Sequence, residues 1–171
     1  QPDYIISYIS DKIIPLSILK QTKYLNINFH PGPPNYPGFG CYNHALYESS
    51  KIYGCTAHIM NKVPDTGPII DVQRFKITRN DTVSSLSNKT YKQMLLQFEL
   101  VMKNIILKRK TIYSEERWTR RPFKKKDLDQ LCNIDLNMSL SEVRKRIRAT
   151  YYPNKPTSYI NFKGFRFEFK P

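Results

Sequence analysis

The chain has 171 residues, 40% of them hydrophobic, enough for one core and short for two comfortable domains. A formal net charge of +14 favours polyanionic partners, among them nucleic acid, anionic membrane and phosphate-bearing small molecules, without choosing between them. No run of about 18 apolar residues occurs, which excludes a helical membrane span, and no basic-then-apolar leader is present, so a soluble cytoplasmic protein is expected.

In chain order, Tyr4 to Ile9 is a short apolar, β-rich run without helical spacing, which predicts a strand buried on both faces in a parallel sheet. A short helix is predicted near Pro15 to Lys20, with Pro at its first turn. Tyr24 to Phe29 alternates as a second strand. Pro31, Pro33, Pro34 and Pro37, with interspersed glycines, then form a stiff loop that can extend neither sheet nor helix. Gly40 to Ser49 reads as a helix, so this half of the chain is α/β in organisation.

Gly54 to Val63 and Pro68 to Thr78 are β-prone runs around the turn-forming "PDTG", a predicted hairpin. A long helix follows. Tyr91, Met94, Leu95, Phe98, Val101, Met102, Ile105 and Ile106 recur at three- and four-residue steps as a core stripe, and a basic end at Lys108, Arg109 and Lys110 complements the dipole. "ERWTRRPFKKKDLDQL" reads as a solvated loop leading to a short helix. Ser139 and Glu142 form a capping-box pattern opening a helix with Leu140, Val143 and Ile147 inward and Arg144, Lys145, Arg146 and Arg148 mostly outward. In the tail, Phe165, Phe167 and Phe169 alternate with Arg166, Glu168 and Lys170, which predicts a hairpin with one buried face.

Cys41, Cys55 and Cys132 are odd in number and lack any CxxC pair, so reduced thiols are expected and neither zinc nor redox chemistry is. Asn28 and His30 are two residues apart at a strand end and project to one face. Pro31 biases His30 towards an extended conformation, and the loop fixes where the imidazole points. Such a histidine can equally be a structural hydrogen bonder. Asp65 lies between Pro64 and Gly67 in a turn that can hold a carboxylate rigidly, or can form an Asx-turn and nothing more. Together the three residues offer an amide for an oxyanion, a base, and a carboxylate to orient that base.

"NINFHPGPPNYPGFGCYNHALYE", "YGCTAHIMNKVPDTGPII" and "PDYIISYISDKIIP" resemble the 10-formyltetrahydrofolate-dependent formyltransferase family, and within it the sugar N-formyltransferases that act on nucleotide-linked amino sugars. The family pattern falls here on Asn28 and His30, on Pro31 through Gly38, on Thr56 and His58, and on Asp65 and Gly67. "RKRIRATYYPNKPTSYINFKGFRFEF" also resembles the end of the small sugar enzymes. The loop departs from the H-x-S-L-L-P of tRNA-acting and purine-pathway relatives, which favours an amino-sugar acceptor.

The resemblance implies part of a Rossmann-like α/β formyltransferase fold whose first strands precede Tyr4. The chain opens at Gln1, so upstream sequence is expected. Residues 1–110 would form the later part of the catalytic domain, and residues 111–171 a C-terminal loop, helix and β-hairpin. By the same resemblance the formyl donor is 10-formyltetrahydrofolate, without a metal, and the acceptor is the amine of a UDP- or dTDP-linked deoxysugar destined for a surface polysaccharide such as O-antigen. Asn28 would donate to the oxyanion, His30 would handle protons or share its charge, and Asp65 would orient His30 and help remove the amine proton.

The folate is expected along the strand ends, near Tyr8, Ser10, Lys62 and Asp65. Tyr36, Tyr42 and Asn43 are candidates for the sugar side, whereas His44 and His58 are expected to be structural. A homodimer is allowed, and no specific nucleic-acid or membrane partner is expected. Two alternatives remain: methionyl-tRNA formylation by the same chemistry, and a non-catalytic RNA-binding module using the basic residues around Trp118 and after Ser139. A tRNA-acting enzyme would carry a β-barrel to grip its acceptor, for which one helix and one hairpin supply too little chain.

Overall fold

The computed structural model describes residues 1–108, 111, 113–155 and 157–170. The basic helix end expected at Lys108, Arg109 and Lys110 lies outside the described residues, apart from the Lys108 backbone. The elements run β1 (Tyr4–Tyr8), α1 (Leu16–Leu19), β2 (Leu25–His30), α2 (Cys41–Tyr47), β3 (Ile52–Ile59), β4 (Ile69–Lys76), α3 (Val83–Lys108), α4 (Lys125–Cys132), α5 (Leu140–Thr150), β5 (Tyr159–Phe162) and β6 (Phe165–Glu168).

Strands β1 to β4 form one sheet in sequence order, and β5 and β6 form a separate hairpin. The α/β class expected from the sequence is therefore observed, but the sheet is mixed rather than parallel. β1 runs parallel to β2, whereas β2 to β3 and β3 to β4 are antiparallel. A parallel return requires a crossover of a dozen or more residues. The seven-residue α2 instead leaves the chain at the carboxyl end of β2, and β3 starts back from there. β1 is an edge strand of this sheet and is half-open, with Ile6 exposed, unlike the two-faced burial its composition predicts.

Alternation along β2 and β3 divides two surfaces. Ile27, Phe29, Cys55 and Ala57 pack beneath Met94, Val101 and Ile105 of α3. Asn28, His30, Thr56 and His58 occupy the intervening positions and face the other way. Helix α3 begins at Val83, upstream of the expected stripe, and buries Leu86 and Thr90. Of the predicted stripe, Met94, Val101 and Ile105 are buried, while Leu95 and Ile106 face outward. Apolar spacing marked a wider face than the sheet can cover.

A second cluster joins Tyr36, Cys41, Ala45, Leu46 and Tyr53 to Val83, Leu86, Leu131 and Ala149, and so ties α2 to α3, α4 and α5. The Ser139 hydroxyl accepts from the Glu142 N–H at 3.2 Å and caps α5 as expected. Leu140, however, is exposed, and Arg146 and Arg148 turn inward. The carbonyls ending α4 need donors. The Arg146 guanidinium supplies them, reaching Gln130 O at 2.9 Å and both Leu131 O and Asn133 O at 3.1 Å.

The C-terminal hairpin is present but its expected buried face is not. Phe165 is 70% and Phe167 58% exposed, and only Phe169 is half-buried, edge-on to Tyr151. Alternation places these rings together; no described element lies over them. None of the described helices is long and apolar enough to cross a membrane.

Candidate functional site

The register of β2 against β3 builds the site. Asn28 stands opposite His58 and His30 opposite Thr56, so the N-x-H of one strand meets the T-x-H of the other on one face. The turn after β3 folds back over that face and brings in Asp65, a non-glycine residue at φ 51°. Gly67 allows this fold. A Cβ there would lie 1.8 Å from the Ile59 carbonyl oxygen, so no other residue lets the turn press so closely onto β3.

Both Asp65 oxygens are saturated. Oδ2 accepts from the Gly38 N–H at 2.8 Å and lies 3.1 Å from His30 Nδ1. Oδ1 lies 3.1 Å from His58 Nε2 and accepts from Asn28 Nδ2 at 3.3 Å. The same Asn28 amide is 3.1 Å from His58 Nε2. His30 is 4% and Asp65 5% exposed. Burial alone would raise the Asp65 carboxyl, but the His30 and His58 rings and the Gly38 N–H together hold it well below the usual carboxylate range. Asp65 is thus a buried anion between two imidazoles.

His30 Nε2 faces the Tyr36 carbonyl oxygen at 2.9 Å. Carbonyl and carboxylate oxygens only accept, so the His30 ring is held between two acceptors, Asp65 Oδ2 and Tyr36 O. The Pro/Gly loop is shaped to hold it there. Tyr53 OH donates to Pro31 O at 2.9 Å, and the Thr56 hydroxyl donates to Gly32 O at 2.7 Å. A Cβ on Gly32 would come within 2.6 Å of His30 Nε2, so glycine leaves the ring its place.

Of the residues singled out from sequence, Asn28, His30 and Asp65 meet. The others are more scattered. Tyr8 is half-buried at the end of β1 against Phe29 and Phe98, while Ser10 and Lys62 are exposed. The Tyr36 ring is buried, with its hydroxyl donating to Glu48 at 2.9 Å beside a surface depression of about 270 Å³ shared with Arg74 and Arg120. Tyr42 packs against Tyr53 and Tyr91, and burial raises its hydroxyl far above the usual tyrosine value. Asn43 is buried and donates to Ala149 O at 2.7 Å. These last two side chains tie α2 to its neighbours and do not face the cluster. Nor do the thiols contribute a nucleophile: burial pushes Cys41 and Cys55 up to about 12. Among the described residues no group of three or more His, Cys, Asp or Glu side chains is arranged to hold a metal ion.

Two residues that sequence reasoning set aside belong here. His58, read as structural, touches both Asp65 and Asn28; the signal was its place two residues after Thr56 on a strand antiparallel to the N-x-H. Trp118, read as part of a solvated loop, donates its indole N–H to Gly67 O at 2.8 Å and lies edge-on to His58, 5.0 Å between ring centres, and to His30, 5.9 Å. Nothing local marked that contact. His44 is structural, stacked 3.7 Å from Phe123, and burial pushes it down to about 4.

The formyl transferase family model matches residues 1–97, and the chain belongs to that family. It is 31% identical over 155 residues to a methionyl-tRNA formyltransferase from Thermodesulfovibrio yellowstonii, covering 88% of this chain and 48% of that protein. A sugar N-formyltransferase from a Shewanella species superposes with a TM-score of 0.83 at 20% identity, over 99% of this chain and 69% of that one. The N-formyltransferase from Helicobacter canadensis, solved with folinic acid and dTDP-3-aminofucose, gives 0.72 at 21% identity, over 93% and 58%. The chain spans about half the length of the curated relatives it matches.

Proposed function

We propose that this chain carries the reactive centre of a sugar N-formyltransferase, which moves a formyl group from 10-formyltetrahydrofolate to the amine of a nucleotide-linked amino deoxysugar. The observation that carries the chemistry is the convergence of Asn28, His30 and His58 on one buried carboxylate. The folate supplies the formyl carbon. As the acceptor amine forms its bond to that carbon, negative charge gathers on the formyl oxygen. The Asn28 amide is the hydrogen-bond donor that receives it, and His30, when charged, shares in that stabilisation. His30 does so by exchanging its bond to Tyr36 O for one to the oxyanion. The attacking nitrogen passes its proton to the His30 ring, oriented by Asp65, and the ring delivers it to N10 as the bond from N10 to the formyl carbon breaks. Asp65 keeps His30 oriented throughout. Ser10, exposed just past β1, leaves room for a flat ligand beside the carboxyl end of β2. In this reading residues 1–110 supply the reacting groups and residues 111–171 frame them.

Support for a sugar acceptor comes from two directions. The likeness to the Shewanella sugar enzyme runs through 99% of the chain, α5 and the terminal hairpin included. The loop His30-Pro31-Gly32-Pro33-Pro34 also departs from the H-x-S-L-L-P of tRNA-acting relatives. The 31% identity to a methionyl-tRNA formyltransferase keeps aminoacyl-tRNA as the second reading. Offering the full-length protein a dTDP-amino deoxysugar and methionyl-tRNA in competition, with 10-formyltetrahydrofolate at moderate salt, decides between them. Formyl-sugar as the main product is expected; formyl-methionyl-tRNA would overturn the sugar assignment. Release of tetrahydrofolate with neither acceptor formylated would overturn both.

A further inference from the structure

The stretch from Ser114 to Phe123 bridges the two loops that carry the reacting groups. At its start the Ser114 N–H donates to Ile69 O at 2.9 Å, and Glu116 pairs with Arg74 of β4 through both guanidinium nitrogens. Further on, the Thr119 N–H donates to Pro34 O at 3.2 Å and the Phe123 N–H to Pro37 O at 2.9 Å, while Phe39 N–H returns a bond to Phe123 O at 2.9 Å. One end is thus fastened beside the D-x-G turn and the other to the Pro/Gly loop. Trp118 lies between these fastenings. Its indole N–H holds Gly67 O, two residues from Asp65, and its ring stands at 90° to His58 and 70° to His30.

Two imidazoles sharing one carboxylate keep their orientation only while water is kept from the carboxylate oxygens. Water would compete for Oδ1 and Oδ2 and free both rings to turn. Trp118 is half-buried and covers both rings at once, and its bond to Gly67 sets its own tilt. We infer that Trp118 is a positioning residue for formyl transfer: the indole ring holds the imidazoles of His30 and His58 against Asp65, and its N–H fixes the turn that carries Asp65. This inference rests on the formyl-transfer reading for its kinetic consequence and on geometry alone for its effect on the histidines.

The full-length protein carrying Trp118→Ala and, separately, Trp118→Phe provides the test. A misplacement of about 1 Å at a reacting group can cost about a hundredfold. Trp118→Ala is expected to lower kcat by about 10- to 100-fold, with KM for donor and acceptor each within about threefold of wild type. Trp118→Phe keeps a ring against both imidazoles and should restore kcat to within about fivefold of wild type. By NMR, the ring N–H protons of His30 and His58 should exchange with water at least about tenfold faster in the alanine variant than in the phenylalanine one. Wild-type kcat in Trp118→Ala, a loss confined to the acceptor KM, or equal imidazole exchange in all three proteins would each overturn the inference. Because the exchange measurement needs no substrate, an inactive wild-type protein would count against the functional reading and leave the role of Trp118 to the NMR result.

Discussion

The face shared by β2 and β3 and the hairpin of β5 and β6 carry the same signal, strict alternation, and end in opposite surroundings. On the first, the polar members Asn28, His30 and His58 are closed in by a turn, a loop and Trp118, and His30 is left 4% exposed. On the second, the apolar members Phe165 and Phe167 stand 70% and 58% exposed. Alternation decides which side chains share a face. What covers that face is decided by chain that arrives from elsewhere, here the Asp65 turn and the stretch around Trp118. A buried polar face must satisfy every donor and acceptor, and the β2–β3 face does so around a single carboxylate.

Substitutions on the two faces should therefore differ in size and in kind. The largest effect is expected from His30→Ala, which should lower turnover by about 10² to 10⁴ while the nucleotide sugar still binds. Turnover near wild type would remove His30 from the chemistry. Asp65→Asn keeps the turn and loses the charge, and turnover should fall by about 10². Its stability cost has a pH signature. A carboxyl held below its unfolded value of about 3.9 contributes stability above that pH, and the contribution is lost as pH falls through the folded value. The stability gap between wild type and Asp65→Asn should thus be widest near neutrality and close below about pH 4. A denaturation series with the same gap at every pH would show that the carboxylate is not ionised against the histidines.

Smaller effects follow from packing. Gly67→Ala places a methyl where Ile59 O stands and should cost about 1–3 kcal/mol in chemical denaturation. A neutral result would mean that the turn sits further from β3. On the hairpin, Phe165→Ser should change stability by no more than about 0.5 kcal/mol, because the ring is already in water. A loss of several kcal/mol, the usual cost of removing a buried phenylalanine, would show that the face is covered.

The same contrast explains what was legible in the sequence. The strands, α2, the β3–β4 hairpin and the capped α5 follow from local patterns, as does the projection of Asn28 and His30 to one side. Asp65 could be named because Pro64 and Gly67 mark a rigid turn. The antiparallel course of β3 could not, since nothing local says that α2 fails to cross the sheet. Trp118 escaped for the same reason: its partners Gly67, His58 and His30 lie at least 51 residues away along the chain, and a tryptophan among arginines looks solvated. Arg146 and Arg148, expected in solvent, were drawn inward by carbonyls on α4 and at Asp81.

Asn28 tests the central claim most directly, because its amide touches both His58 and Asp65 and is the oxyanion donor of the proposed mechanism. In a single-turnover experiment, full-length wild type and Asn28→Ala are each saturated with 10-formyltetrahydrofolate and a dTDP-amino deoxysugar, and appearance of the N-formyl sugar is timed. The formyl-transfer step should slow by about 10² to 10³ in the variant, with both dissociation constants within about threefold. Formyl transfer at the wild-type rate would contradict the assignment of this cluster as the reactive centre.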